Sequence, residues 1–247
     1  MKNITDATGN VILSYFKKQH TFDIVEREDG YINVDDAEKM YFSEYIDWRN
    51  HEKEAISYAH GRCLDIGCGA GRVLLYLQSK GLFCLGIDSS PLAIKVCKMR
   101  GVKHSKVMDL TDISKFKEDS FDSIILFGNN FGLLANKLKA KRLLKNMYKI
   151  TSKNAVIIAE DRDPYITTNP THFKYHSYNI KRGRMPGQLK IRVRFMQYKT
   201  PWYDYLYLSK SEMKSLINGT GWKITKFINE KNFKSNGEYI AILRKAI

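Results

Sequence analysis

This sequence predicts an open α/β fold on a seven-stranded mixed sheet, and three observations carry the prediction. Between about Arg62 and Glu160, short apolar runs alternate with helical patterns, as successive βαβ units do. The first run ends at Asp65 and passes through Gly67, Gly69 and Gly71 into a helix. After a capping box at Ser209 and Glu212, the strand-like runs Trp222–Ile228 and Glu238–Leu243 flank Asn236-Gly237 and read as an antiparallel pair. Five parallel strands and this terminal hairpin make up the sheet.

The elements run in order along the chain. Residues 1–60 form a mostly helical N-terminal segment, with Asp35-Asp36 as a start before a helix over Ala37–Tyr58. Arg62–Ile66 is the first strand, Arg72–Lys80 a helix closed by Gly81, and Leu82–Ile87 the second strand. Pro91, suited to a first helical turn, opens a helix to about Arg100. Val102–Met108 and Phe121–Phe127 are the next strands, and Ala155–Ala159 is the fifth. Between these last two lies a basic amphipathic helix, Asn136–Thr151, with Leu138, Leu143, Leu144, Met147 and Ile150 as its apolar face. The main domain covers 61–247, with a β-rich insertion after the fifth strand, at about 164–208.

Composition narrows the class of protein. A chain of 247 residues with 43% hydrophobic side chains can bury a sizeable core. No apolar run reaches the roughly 18 residues of a membrane helix, and no secretory leader is expected, so no membrane is among the expected partners. Cys63, Cys68, Cys84 and Cys97 show no Cys-x-x-Cys spacing and read as reduced thiols, which points to a cytoplasmic protein. The net charge of +15 suits anionic partners without specifying one.

The glycine turn has a mechanical sense. Glycines let the backbone turn sharply and approach a ligand, and the helix N-terminus offers unpaired N–H groups. A carboxylate at Asp65 gains nothing beside a phosphate but suits a cationic ligand; the alternative is a tight strand-to-helix turn with no ligand. Asp88 ends the second strand about twenty residues further on, where an acid takes a ribose diol. Asp109-Leu110 ends the third, where a side-chain oxygen and a backbone amide could read an adenine edge. Phe121–Phe127 runs from an acidic start into the small, polar end Gly128-Asn129-Asn130.

Together, Leu64–Arg72, Gly86–Pro91, Asp109-Leu110 and Phe121–Leu126 resemble the class I S-adenosylmethionine-dependent methyltransferases, over about residues 61–160. The resemblance implies a Rossmann-like sheet and S-adenosyl-L-methionine as cofactor. It places Asp65, Gly67, Cys68 and Gly69 around the methionine part, with Arg72 near its carboxylate. Asp88 would hold the ribose hydroxyls with Ser89 beside them, and Asp109 and Leu110 the adenine. Phe127 and Gly128 would line the path to the methyl group.

Methyl transfer from a sulfonium is an in-line displacement, so the protein must align the acceptor, exclude water and, where needed, remove a proton. Candidate catalytic residues are Asn130, after the fourth strand, and Glu160 and Asp161, after the fifth; the alternative is that these cap loops or pair with Arg162. The (Asn/Asp)-Pro-Pro-aromatic tetrapeptide of amino-group methylating relatives is replaced here by Gly128-Asn129-Asn130-Phe131. The acid that magnesium-dependent relatives place there is missing too, so no metal is expected. Pro164–Tyr203 holds no Asp or Glu, and Lys190–Phe195 alternates charged with apolar side chains as a strand does. Met185–Gln188 reads as the turn of a hairpin, with Tyr203–Leu208 as partner strand.

Candidate substrate contacts are Tyr41, Tyr45, Asp163, Tyr165, Arg192, Arg194 and Trp202. The stretch Tyr41–Trp48 either folds over the cofactor or acceptor or packs as an amphipathic helix on the sheet edge. The expected acceptor is a small aromatic or anionic metabolite, methylated at O, N or S. Nucleic acid is compatible with the charge but less favoured. The alternatives are an RNA or protein methyltransferase, or a cofactor-binding protein without turnover; the oligomeric state is left open.

Overall fold

The computed structural model describes residues 5–35, 38–230 and 237–246. The chain begins with α1 (Ala7–Phe16), β1 (Asp23–Arg27), β2 (Ile32–Asp35), α2 (Glu38–Phe42) and α3 (Asn50–Ile56). It continues through β3 (Cys63–Ile66), α4 (Arg72–Ser79), β4 (Cys84–Asp88), α5 (Pro91–Met99) and β5 (Ser105–Val107). Next come β6 (Phe121–Leu126), α6 (Lys137–Lys149), β7 (Thr151–Arg162) and α7 (Pro170–Lys181). The last elements are β8 (Gln188–Phe195), β9 (Tyr198–Lys199), β10 (Tyr203–Leu206), α8 (Lys210–Ile217), β11 (Trp222–Asn229) and β12 (Glu238–Lys245).

Seven strands form one sheet in the order β11-β12-β7-β6-β3-β4-β5. β4 pairs in parallel with β5 and β6 with β7, while β12 runs antiparallel to both β7 and β11. This is the mixed α/β sheet with a terminal antiparallel hairpin that the sequence predicts. The predicted turn residue Asn236 lies outside the described residues. β1, β2, β8, β9 and β10 form a second sheet. The chain divides into two compact units, one of residues 1–48, 64–110 and 190–203, the other of 49–63, 111–189 and 204–247.

Every residue of β3 is buried. Ser90 caps α5 by accepting the Ala93 N–H, and Pro91 takes the first helical position, where its missing N–H costs nothing. Ile12, Ala70, Ala93 and Val96 form a small core, against which Tyr41 and Phe42 pack. The N-terminal segment is helical at its ends but not in its middle, where β1 and β2 pair as a hairpin. Arg27 and Asp29 close that turn with two 2.8 Å hydrogen bonds, and β1 finds its other partner in β8. Of the predicted helix start Asp35-Asp36, Asp35 instead ends β2, and Asp36 and the following Ala37 lie outside the described residues. Beyond them the chain forms α2, a 3-10 turn at Tyr45–Asp47 and then α3, not one helix to Tyr58.

In the second unit β7 is longer than the predicted Ala155–Ala159, so Glu160 and Asp161 lie within the strand and not in the loop after it. Leu143, Leu144, Met147 and Ile150 are buried as expected, but Leu138 is 84% exposed. It sits in the first turn of α6, N-capped by Asn136, and belongs to the lysine-rich face. The insertion opens with a helix, α7, capped by Asn169 and started by Pro170, so it is less β-rich than expected. The Met185–Gln188 turn forms, with a 3.0 Å bond between its ends, but leads out of α7 into β8. The tight hairpin is the β8–β9 pair, where Met196 adopts φ 50°, while the predicted partner strand at Tyr203 appears as β10, which also pairs with β8. α8 carries the predicted Ser209–Glu212 capping box.

Candidate functional site

The glycine turn is organised by the end of β4. The Gly67 and Cys68 N–H groups donate to the Ile87 carbonyl at 2.9 and 3.1 Å. Asp88 accepts the Gly69 N–H at 3.0 Å with one oxygen and the Ser90 N–H at 2.9 Å with the other. Its carbonyl takes the Met108 N–H at 2.9 Å, tying the end of β5 to the same place. Burial lifts the Asp88 carboxyl above the ordinary carboxylate range, partly offset by the N–H groups of Ser90 and Gly69. Asp109 is exposed, Leu110 half-buried and Ser89 exposed, so these strand-end residues are accessible.

Gly69 shows why a side chain is excluded from the turn. Its φ is +52°, and a Cβ there would stand 2.8 Å from the Tyr41 ring. Tyr41 thus packs on the turn itself, and Arg100 holds α2 in place by donating to the carbonyls of Tyr41 and Ala70 at 3.3 and 2.6 Å. Tyr45 stacks on Tyr76 of α4 at 4.5 Å, and the Arg72 guanidinium lies 4.9 Å over the Trp48 ring. Cys68 is buried, its sulfur 4.0 Å from that of Cys97, whose S–H points at the Gly69 carbonyl.

Asp65 is the acid of this region whose carboxyl is left incompletely bonded. It is 3% exposed, and its Oδ2 is buried without a hydrogen-bond partner. Burial pushes its pKa up to about 7, against the pull of the Arg72 charge and with some help from Asp88. A buried acceptor in this condition costs about 1–3 kcal/mol unless something satisfies it. A cationic ligand at the turn would do so, and an α-ammonium group is such a ligand. The residues present therefore fit S-adenosylmethionine: Asp65 and the glycine turn for its methionine part, Asp88 for its ribose.

The second unit holds a different cluster. Glu160 of β7 accepts the Gly128 N–H at 2.6 Å with Oε2, and its Oε1 lies 3.2 Å from His51 Nε2. His51 Nδ1 lies 2.7 Å from Glu230. All three side chains are buried. Gly128 and Asn129 have φ of 70° and 61°, a left-handed pair that Asn tolerates better than most residues. The Tyr205 hydroxyl donates to the Asn129 carbonyl at 2.5 Å, and its ring lies where a Cβ on Gly132 would be. The Asn129 side-chain oxygen is buried and unbonded.

Asn130 starts the short 3-10 segment after this turn, and Phe127 is buried. Asp161 is fully buried; one oxygen accepts the Arg162 N–H at 2.8 Å, and burial raises its pKa well above the usual range. Asp163 accepts the Tyr165 N–H at 3.0 Å, and the Tyr165 hydroxyl donates to Glu212 at 2.9 Å. In the first unit, Arg192 grips Glu26 with bonds of 2.7 and 3.0 Å and lies 4.5 Å over the Trp202 ring. Arg194 reaches the same carboxylate at 3.4 Å. His51, Glu230, Asn129 and Tyr205 are not among the predicted site residues. His51 and Glu230 are isolated polar residues with no motif around them, whereas Asn129 stands in the strand-end stretch already singled out.

Residues 64–159 match a family model described as a methyltransferase domain. The chain is 39% identical over 61 residues to the 2-heptyl-1-hydroxyquinolin-4(1H)-one methyltransferase of Mycobacteroides abscessus, over 23% of this chain and 26% of that one. It is 22% identical over 133 residues to the putative methyltransferase YqeM of Bacillus subtilis, covering 52% and 53%. The chain thus spans between about a quarter and a half of the length of the curated relatives it matches. The fold is similar along its whole length to an S-adenosylmethionine-dependent methyltransferase of Bacteroides fragilis solved with S-adenosyl-L-homocysteine. That similarity has a TM-score of 0.83, with 23% identity, and covers 100% of this chain and 98% of that one. Residues 64–159 thus match a methyltransferase domain, on a fold similar to that of S-adenosylmethionine-dependent methyltransferases.

Proposed function

We propose that this chain methylates a small aromatic or anionic metabolite, with S-adenosylmethionine as donor. The observation that carries the donor assignment is the buried, unbonded Oδ2 of Asp65 beside the glycine turn. When bound, the cofactor supplies an electrophilic methyl group on a sulfonium. The chain's own part is to bind, orient and exclude water. Asp65 meets positive charge, Asp88 orients the donor at its ribose, and Tyr41 covers Gly69.

Two observations support a small acceptor. Arg192 and Arg194, the most prominent cations of the predicted cover, are engaged by Glu26, which leaves less charge for a phosphate backbone. Glu160 and Asp161 are also committed, one to Gly128 and His51, the other to the Arg162 N–H in a fully buried setting that resists its ionisation. An acceptor that arrives already ionised, such as an acidic aromatic hydroxyl, needs no base. This agrees with the hydroxyquinolinone named for the M. abscessus relative. The buried side-chain oxygen of Asn129 offers an orienting hydrogen bond at the end of β6.

Methyl transfer from labelled donor to a panel of acidic hydroxyaromatic compounds, with bulk RNA in parallel, tests the reading. Labelled small product, insensitive to salt, is the expected result. Labelling of RNA alone, falling steeply with salt, would overturn it.

A further inference from the structure

The most elaborate buried polar arrangement in the second unit is one that methyl transfer does not by itself require. His51, on α3, places both ring nitrogens against carboxylates: Nδ1 at 2.7 Å from Glu230 and Nε2 at 3.2 Å from Glu160. A neutral imidazole carries one N–H and could donate to only one of them. Two carboxylate acceptors are satisfied together only by the imidazolium. The far oxygen of Glu160 takes the Gly128 N–H at 2.6 Å, so the chain Glu230–His51–Glu160 ends on the left-handed turn after β6.

We propose that His51 is a positioning residue, whose doubly protonated ring clamps Glu160 onto the Gly128 amide and so holds the strand-end turn at Gly128-Asn129 in its left-handed form. The proposal rests on the reading of that turn as the acceptor-facing end of β6, but its tests need neither acceptor nor turnover.

The electrostatic setting agrees from every element that packs around the ring. Burial alone would lower the His51 pKa, but the bond to Glu160 and its charge, the bond to Glu230 and the charge of Glu52 on α3 raise it overall. Glu52 itself is bonded to the Arg49 N–H at 3.2 Å. From β12, Glu238 is bound by Arg49 and by Arg162, so its charge is balanced locally. A histidine with a raised pKa keeps its bonds below its ordinary value and loses them as pH rises through the raised one. The clamp is therefore closed in mild acid and weakens as pH rises. Tyr205 on the Asn129 carbonyl is the second, pH-independent tether of the turn.

The test is nuclear magnetic resonance on the full chain. A side-chain nitrogen spectrum, with His51 assigned by its loss in His51→Gln, should show both ring nitrogens protonated at pH 6. Amide exchange at Gly128, corrected for the intrinsic pH dependence, should then lose protection as His51 titrates. Losing one charge-assisted bond raises the opening of the turn about tenfold to a hundredfold. In His51→Gln, protection should be reduced and no longer follow pH. Should His51→Gln not fold, Glu230→Gln serves: it should lower the titration point of His51 and shift the loss of Gly128 protection to lower pH by the same amount. A singly protonated His51 at pH 6, or Gly128 protection indifferent to His51 titration, overturns the proposal. If both readouts hold but no acceptor is ever methylated, the clamp stands and the acceptor reading falls.

Discussion

Two clusters of buried acids sit in the two units of this molecule and are handled in opposite ways. Around Asp65, one carboxyl oxygen is buried with nothing to bond to, and the group responds by holding its proton to about pH 7. Around Glu160, both oxygens are occupied, by the Gly128 N–H and by His51, and the histidine is shared with Glu230. The first arrangement is costly alone and becomes favourable with a cationic ligand. The second is complete without one. An unsatisfied buried group marks where something binds, whereas a satisfied network marks what holds the binding surface in shape.

That contrast can be broken most severely at Glu160. Glu160→Ala removes one partner of a buried ionic network and leaves His51 facing a void, so it should destabilise the chain by about 3–5 kcal/mol. Urea unfolding measures this, and a loss below about 1 kcal/mol would mean the network is not closed as described. Asp65→Asn should do the reverse. It removes a carboxyl whose ionisation the fold resists, so stability should hold within about 1 kcal/mol, while donor affinity falls by about 2–3 kcal/mol with the lost charge-assisted bond. Smallest is Glu26→Gln, which weakens a half-exposed pair with Arg192 and should cost about 1 kcal/mol or less. If instead it abolished donor binding, the Glu26–Arg192 pair would be more than a brace.

The same contrast explains what could be read from the sequence. Asp65, the glycines and Asp88 are legible because strand, turn and strand succeed one another closely, and local spacing places them at one strand edge. His51 and its two glutamates are not, because they are 109 and 179 residues apart in sequence and meet only once the sheet has formed. Glu160 is visible as an acid near the end of the fifth strand, but its place inside β7 comes from pairing with β12, where it stands opposite Ile240. The β1–β2 hairpin is hidden for the same reason. Its strands are short and Ile32 and Val34 are exposed, so no buried alternation marks them, and their stabilising partner is β8 far along the chain. Leu138 fits a helical apolar stripe by spacing alone, yet its place in the first turn of α6 leaves it in solvent.

Asp65 also offers the sharpest handle on the account. An unfolded aspartate releases its proton near pH ~3.9, whereas the folded one holds it to about 7. Between those values the ligand-free fold carries the extra proton, so its stability declines as pH rises and levels off above about 7. A cationic ligand selects the ionised form, so affinity must move the other way. Calorimetric titration of the wild type and of Asp65→Asn with S-adenosylmethionine, from pH 6 to 8 in buffers of different ionisation heat, measures this directly. The account predicts wild-type affinity rising with pH, with proton release on binding below about pH 7, and a weak affinity in Asp65→Asn that lacks this proton release. Equal affinities in the two proteins, or no binding by either, would contradict it.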